Sequence, residues 1–221
     1  MPGVVPSPDE PAPTGTLRLW GRTSSINVRK VLWTLQAVGV PFERIDAGLS
    51  FGVVTTLAYR AHNPNALVPL LQDGNFVLWE SNVIVRYLCA RYAPGSLYPA
   101  DLQQRFDAER WMDWQQTTLN RASGSAFVQW IRTPAAERRP ELIAQSVAAT
   151  EPLLQLFDAH LARRRFVAGD ALTMADIPIA CEIHRWWGLP QPRPVLPHLE
   201  RWWATLQAHP ASRGVLDQPL T

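Results

Sequence analysis

The sequence predicts a mixed α/β domain followed by an all-helical domain. Three observations lead there. Short strand-length runs at 17–21, 41–46, 67–72 and 76–79 are interleaved with apolar-periodic runs at 26–38 and 81–92. Asp73-Gly74 joins the last two strand runs and is a hairpin signal, because a type I′ turn needs positive φ. Beyond residue 101 the apolar runs have helical spacing.

Each element has its own local reason. Leu17 and Leu19 alternate with Arg18 and Trp20, as in a strand. Val28, Val31, Leu32 and Leu35 fall at helical spacing, and Gly39 stands where a C-terminal glycine ends a helix. Pro41 to Asp46 is a second strand, and residues 51–61 read as a short helix. Leu67–Gln72 and Phe76–Trp79 form the hairpin, and Ser81 opens a helix through Val83, Ile84, Tyr87 and Leu88. The helix between the first two strands implies a parallel pair, whereas the hairpin is antiparallel. That mixture belongs to a thioredoxin-like domain. The expected divisions are a disordered tail at 1–16, the thioredoxin-like domain at 17–93, a linker at 94–100 and an all-helical domain at 101–221. The tail assignment rests on five prolines in sixteen residues, too few apolar groups to order the chain. In the helical part, Ser123-Gly124-Ser125 is a candidate kink within 102–132, and Pro152 should bend the helix at 140–165.

The order of elements places Glu80 and Ser81 at a helix start, just off a strand. Free N–H groups and the positive end of the helix dipole suit an anionic group there, and Glu80 suits an ammonium. An amino-acid end matches both. Ser81 alone would read as an N-cap, and Val68-Pro69 alone as a strand opening. Together, eleven residues apart between Pro69 and Glu80, they resemble the glutathione transferase superfamily, whose glutathione-binding segment is similar to NPNALVPLL…WESNVIVRYL. The resemblance spans about residues 17–215. It implies that Glu80 and Ser81 hold the γ-glutamyl end, and that Val68, before a cis Pro69, pairs its backbone with the cysteinyl unit. Many relatives carry a lysine facing the glycyl carboxylate where this chain has Leu67, which leaves that carboxylate to Asn65, Arg60 or another residue.

A thiol with pKa near 8.5 is only about 3% thiolate at pH 7. Lowering the pKa by two units takes roughly 2.7 kcal/mol of preferential anion stabilisation. A hydroxyl donor and a helix N-terminus can supply it. Trp20–Asn27 joins the first strand to the first helix and offers such groups. Counting back from Arg29-Lys30-Val31 and Gly39, the resemblance puts Ser25 in the place of the activating serine of serine-type members. Asn27 falls where some bacterial relatives contact the sulfur, and Ser24 is one residue off. The alternative reading is that both serines only cap the helix. No cysteine occurs in 17–88, unlike the cysteine-type members, and Ser24-Ser25-Ile26 is not the Ser-Ser-Cys triplet of the maleylacetoacetate isomerase branch.

Trp111, Trp114, Gln115 and Thr118 share a face at i, i+3, i+4, i+7. That face reads as core, or, by the resemblance, as a pocket for a small apolar electrophile. Thr173 and Asp176 form a capping arrangement, with Leu172 and Ile177 spaced as a hydrophobic staple, so Asp176 reads as a cap. Cys89 and Cys181 make no disulfide framework and read as reduced thiols. The five histidines lack metal-ligand spacing. A net charge of +2, with no basic run beyond Arg163–Arg165, argues against nucleic acid, and no apolar stretch is long enough for a membrane span. Without an export signal the expected location is cytoplasmic. The resemblance implies detoxifying glutathione conjugation in a homodimer, its site near the interface. Glutathione is then co-substrate, with no further cofactor. Glutathione-dependent reduction of disulfides or peroxides and a non-catalytic binding role are the alternatives.

Overall fold

The computed structural model describes residues 6–220 and divides the chain into two units, Met1–Tyr92 and Ala93–Thr221. In the first unit, β1 (Leu17–Trp20), α1 (Ile26–Val38), β2 (Phe42–Ile45), α2 (Leu57–His62), β3 (Leu70–Asp73), β4 (Phe76–Trp79) and α3 (Ser81–Tyr92) follow in order. The sheet runs β2-β1-β3-β4, with β1 and β2 parallel and the other pairs antiparallel. α1 packs along α3. The opposite side of the sheet carries a core of Trp20, Ile45, Ala47, Tyr59 and Leu70. Each fully buried large side chain of this kind contributes roughly 1.5–3 kcal/mol.

Local chemistry explains the boundaries. Gly39, at φ 68°, closes α1 through its N–H to Leu35 O, and Thr56 Oγ1 caps α2 by accepting from Tyr59 N–H. The hairpin differs in one detail. Its register pairs Asp73 with Phe76, so the turn residues are Gly74 and Asn75, and positive φ occurs at Gly74. That is the type II′ pattern, not I′. At the β1–α1 turn, Gly21 sits at φ 154°, and a Cβ there would run into Val28.

The expected disordered tail needs correction where it is described. Pro8 and Ala12 are buried, and backbone carbonyls at Pro8 and Glu10 accept hydrogen bonds from Gln72 and Arg18. Polar side chains on the sheet supply the partners that the proline-rich composition lacks. Residues 1–5 lie outside the described part.

The second unit contains α4 (Leu102–Trp114), α5 (Asn120–Phe127), α6 (Pro140–Leu161), α7 (Asp176–Trp187) and α8 (Pro197–Gln207). The stretch read as a linker is ordered: Leu97 is buried and its carbonyl accepts from Met174 N–H. Ser123–Ser125 lie inside the α-helical segment Asn120–Phe127 of the long helical stretch. The stretch widens into π turns at Gln115–Leu119 and Val128–Arg132. Pro152 lies within α6, on its exposed side. Arg164 lies just beyond α6 and pairs with Asp107 at 2.6 Å.

Asp176 acts as the cap read from the sequence. It accepts from Thr173 N–H at 2.9 Å, and also from Val167 N–H at 2.9 Å and Trp202 Nε1–H at 2.8 Å. Complete burial nevertheless pushes its pKa up to about 6. Burial likewise pushes the Cys89 thiol up to about 12, so it packs as an apolar group.

Candidate active site

The residues expected to hold the ligand come together in the first unit. Asn27, Asn63, Asn65, Leu67, Val68, Pro69, Trp79, Glu80 and Ser81 line a cleft of about 50 Å³. The Val68–Pro69 bond is cis. Among the described residues the N–H and C=O of Val68 enter no loop hydrogen bond, which leaves both for an extended ligand.

Glu80 stands at φ 71°, a left-handed conformation that side chains rarely adopt. Its carbonyl still accepts the first helical bond of α3 from Ile84 N–H, at 2.9 Å. Glu80 thus stands immediately before the N-terminus of α3, whose dipole is positive there. Ser81 is 4% exposed and donates from Oγ to Asn27 Oδ1 at 3.2 Å. This bond ties the starts of α1 and α3 together, and leaves the Asn27 amide N–H groups as donors.

Ser25 is the N-cap of α1, yet its side chain makes no cap hydrogen bond. It is half-buried two residues before Asn27 and is not among the residues lining the cleft. The turn that carries Ser24 and Ser25 is held by Arg29, whose Nε donates to Thr23 O at 2.7 Å. The sequence reading missed Asn63 and Trp79 as lining residues. Asn63 is 2% exposed and donates to Leu67 O at 2.8 Å, so it shapes the loop before Val68.

The aromatic face does not behave as one ligand-facing surface. Trp111 turns into the core of the helical unit, its ring 4.4 Å from that of His160 and 5.4 Å from Phe157, and Trp114 stacks on Phe157. Gln115 is buried and donates to the buried Glu182 carboxylate at 3.0 Å. Thr118 instead lines an open cleft with Arg121, Ser125 and Gln145. The physical reason is the π turn at Gln115, which breaks the 3.6-residue period and rotates Thr118 off the line of Trp111 and Trp114.

A mixed four-stranded sheet with a cis proline before β3 defines a thioredoxin-like domain, here followed by a helical unit. The comparisons agree. Residues 15–90 match the family described as Glutathione S-transferase, N-terminal domain, and residues 123–210 match its C-terminal domain. Glutathione S-transferase GstB of Escherichia coli is 40% identical over 207 residues, which are 93% of this chain and 100% of that protein. Human glutathione S-transferase theta-1 is 33% identical over 65% of this chain and 62% of its own length. A theta class glutathione S-transferase of Xanthomonas axonopodis pv. citri, solved with glutathione bound, superposes with a TM-score of 0.89. It is 44% identical, over 93% of this chain and 99% of that one. The chain belongs to the glutathione S-transferase family, and is an enzyme of that class.

Among the described residues no three His, Cys, Asp or Glu side chains are grouped to hold a metal ion, and no helix is long and apolar enough to cross a membrane.

Proposed function

We propose that this chain conjugates the glutathione thiolate to small apolar electrophiles, in a cytoplasmic homodimer serving detoxification, with no cofactor beyond its co-substrate. Glu80 receives the γ-glutamyl ammonium. Ser81 and the α3 N-terminus receive the γ-glutamyl carboxylate. Val68 pairs its backbone with the cysteinyl unit, and Asn65 borders the glycyl end. Ser25 donates its hydroxyl to the sulfur, and Asn27 supports it from the same helix start. The thiolate then attacks the electrophilic carbon, a C–S bond forms and the leaving group departs. The protein's part is positioning and holding the sulfur as an anion. The observation that carries this reading is the convergence of Asn27, cis Val68-Pro69, Glu80 and Ser81 in one cleft.

One observation favours a second reading. Asn27 lines the cleft and Ser25 does not, as suits a glutathione-dependent reductase whose sulfur contact is the asparagine. Calorimetry with glutathione, followed by rates on a chloronitroarene and on a mixed disulfide of glutathione, separates the two. Conjugation should outpace reduction. The reverse order installs the reductase. Absence of binding leaves a non-catalytic fold, and light scattering tests the dimer.

A further inference from the structure

The loop from Asn63 to Pro69 supplies five of the cleft's lining residues: Asn63, Asn65, Leu67, Val68 and Pro69. It is held at both ends by a segment that lies ahead of residue 15, where the matched N-terminal family domain begins. Before the loop, His62, the last residue of α2, meets the Asp9 carboxylate through Nε2 at 3.0 Å. After the loop, Gln72 lies three residues beyond Pro69 and is 2% exposed. Its Nε2 donates to the carbonyls of Pro8, at 2.6 Å, and Glu10, at 3.2 Å. Its Oε1 accepts from Trp20 Nε1 at 3.2 Å and Arg18 Nη1 at 3.4 Å. Arg18, 5% exposed, also donates to Glu10 O at 3.1 Å. Ala12 N–H then donates to Gly74 O at 3.4 Å.

Two buried polar side chains on a sheet face need such partners, since leaving their donors unpaired costs about 1–3 kcal/mol each. Pro8 to Ala12 provides them with backbone carbonyls. The same contacts bear on the ligand loop. Tyr59, on α2, donates its hydroxyl to Leu67 O at 2.7 Å, and Asn63 donates to the same carbonyl at 2.8 Å. Asn65 N–H is held by Asn63 Oδ1 at 3.1 Å. The Val68 backbone is therefore placed by a chain of bonds running back to α2. α2 is in turn tied to Asp9, and β3 to Pro8 and Glu10.

We infer that Pro8–Ala12 is a strap that positions the Asn63–Pro69 loop for glutathione, with Asp9, His62 and Gln72 as positioning residues. The inference rests on the reading of this cleft as the glutathione site. With the strap gone, glutathione must first select the competent loop. If about a tenth to a third of molecules hold it, the apparent Kd rises roughly three- to tenfold. The chemistry of the assembled complex is untouched, so kcat at saturating glutathione stays put.

The test uses the full chain, Asp9→Ala, and a variant lacking residues 6–13. Glutathione Kd is read by calorimetry, KM for glutathione and kcat from conjugation rates, and Tm by thermal melting. The full chain must bind glutathione; if it does not, the functional reading itself fails. Given that binding, the deletion should weaken it about three- to tenfold, and Asp9→Ala about twofold or more, with kcat and the electrophile's KM unchanged. A lower Tm with unaltered glutathione Kd would make the strap a structural tie only and overturn the inference. Should the deletion variant fail to fold, Asp9→Ala decides alone. A raised KM for glutathione at constant kcat supports the strap, and an unchanged KM overturns it.

Discussion

Replacing Glu80 with glycine should weaken glutathione binding without weakening the fold. Glu80 is held at φ 71°. A side chain in that left-handed region costs roughly 1–2 kcal/mol. Glycine removes the strain but adds unfolded-chain entropy of about 0.5–1 kcal/mol. The net change in stability is a gain between about zero and 1.5 kcal/mol. Binding moves the other way. Losing a charged partner of the ligand ammonium costs roughly 1–3 kcal/mol, or about five- to 150-fold in Kd. Glu80→Gln is the control: it keeps the strained backbone, so stability should hold while affinity falls. Denaturant unfolding and calorimetry measure the two quantities on the same samples. Unchanged affinity in both variants would remove Glu80 from the site. A glycine variant destabilised by more than about 1 kcal/mol would mean that the side chain serves the fold, against the strain argument.

Other substitutions probe the frame around the site. Leu67 lines the cleft and is 65% exposed. Leu67→Lys should add a cation near the glycyl end and tighten glutathione by about 0.5–1 kcal/mol at low salt, an effect that calorimetry should see fade as salt rises. Gly21→Ala drives a Cβ into Val28 at a left-handed φ; it should cost about 1–3 kcal/mol in denaturant unfolding, and no loss would show that the β1–α1 turn yields freely. Asp176 has its pKa raised from 3.8 to about 6 by burial. A raised folded-state pKa means that the folded state binds the proton more tightly. The stability gained from protonation is thus full below about 3.8 and lost as pH rises through about 6. The Asp176 part of the unfolding free energy, taken as wild type minus Asp176→Asn, should fall across that window; a rise would mean that the N–H donors outweigh burial.

Short-range features were the most legible in the sequence. Asp73-Gly74 marked the hairpin, Gly39 the end of α1, and Thr173 with Asp176 the cap, because each acts within a few residues. The cleft was legible for the same reason. Val68-Pro69 and Glu80-Ser81 flank one hairpin, so their convergence follows once the hairpin forms. What stayed hidden depends on distant partners. The π turn at Gln115 accompanies a bond to Glu182, 67 residues away, and it displaced the expected aromatic face. Proline-rich composition reads as disorder and cannot show that Gln72, 64 residues from Pro8, donates to its carbonyl from the sheet. The positive φ of Glu80 carries no glycine to announce it.

If the cleft holds glutathione as a thiolate with help from the α1 N-terminus, the bound thiol titrates below the free one. The direct measurement is the absorbance of bound thiolate against pH, in the wild type, Ser25→Ala and Asn27→Ala. In the wild type the midpoint should lie about two units below the free thiol's value near 8.5. Ser25→Ala should move it back toward that value and slow conjugation at pH 6.5 by roughly ten- to a hundredfold, with part of the rate recovered at high pH. Asn27→Ala should do less. A wild-type midpoint equal to that of free glutathione, or one that neither substitution moves, would contradict the account and leave residues 22–27 as a helix cap alone.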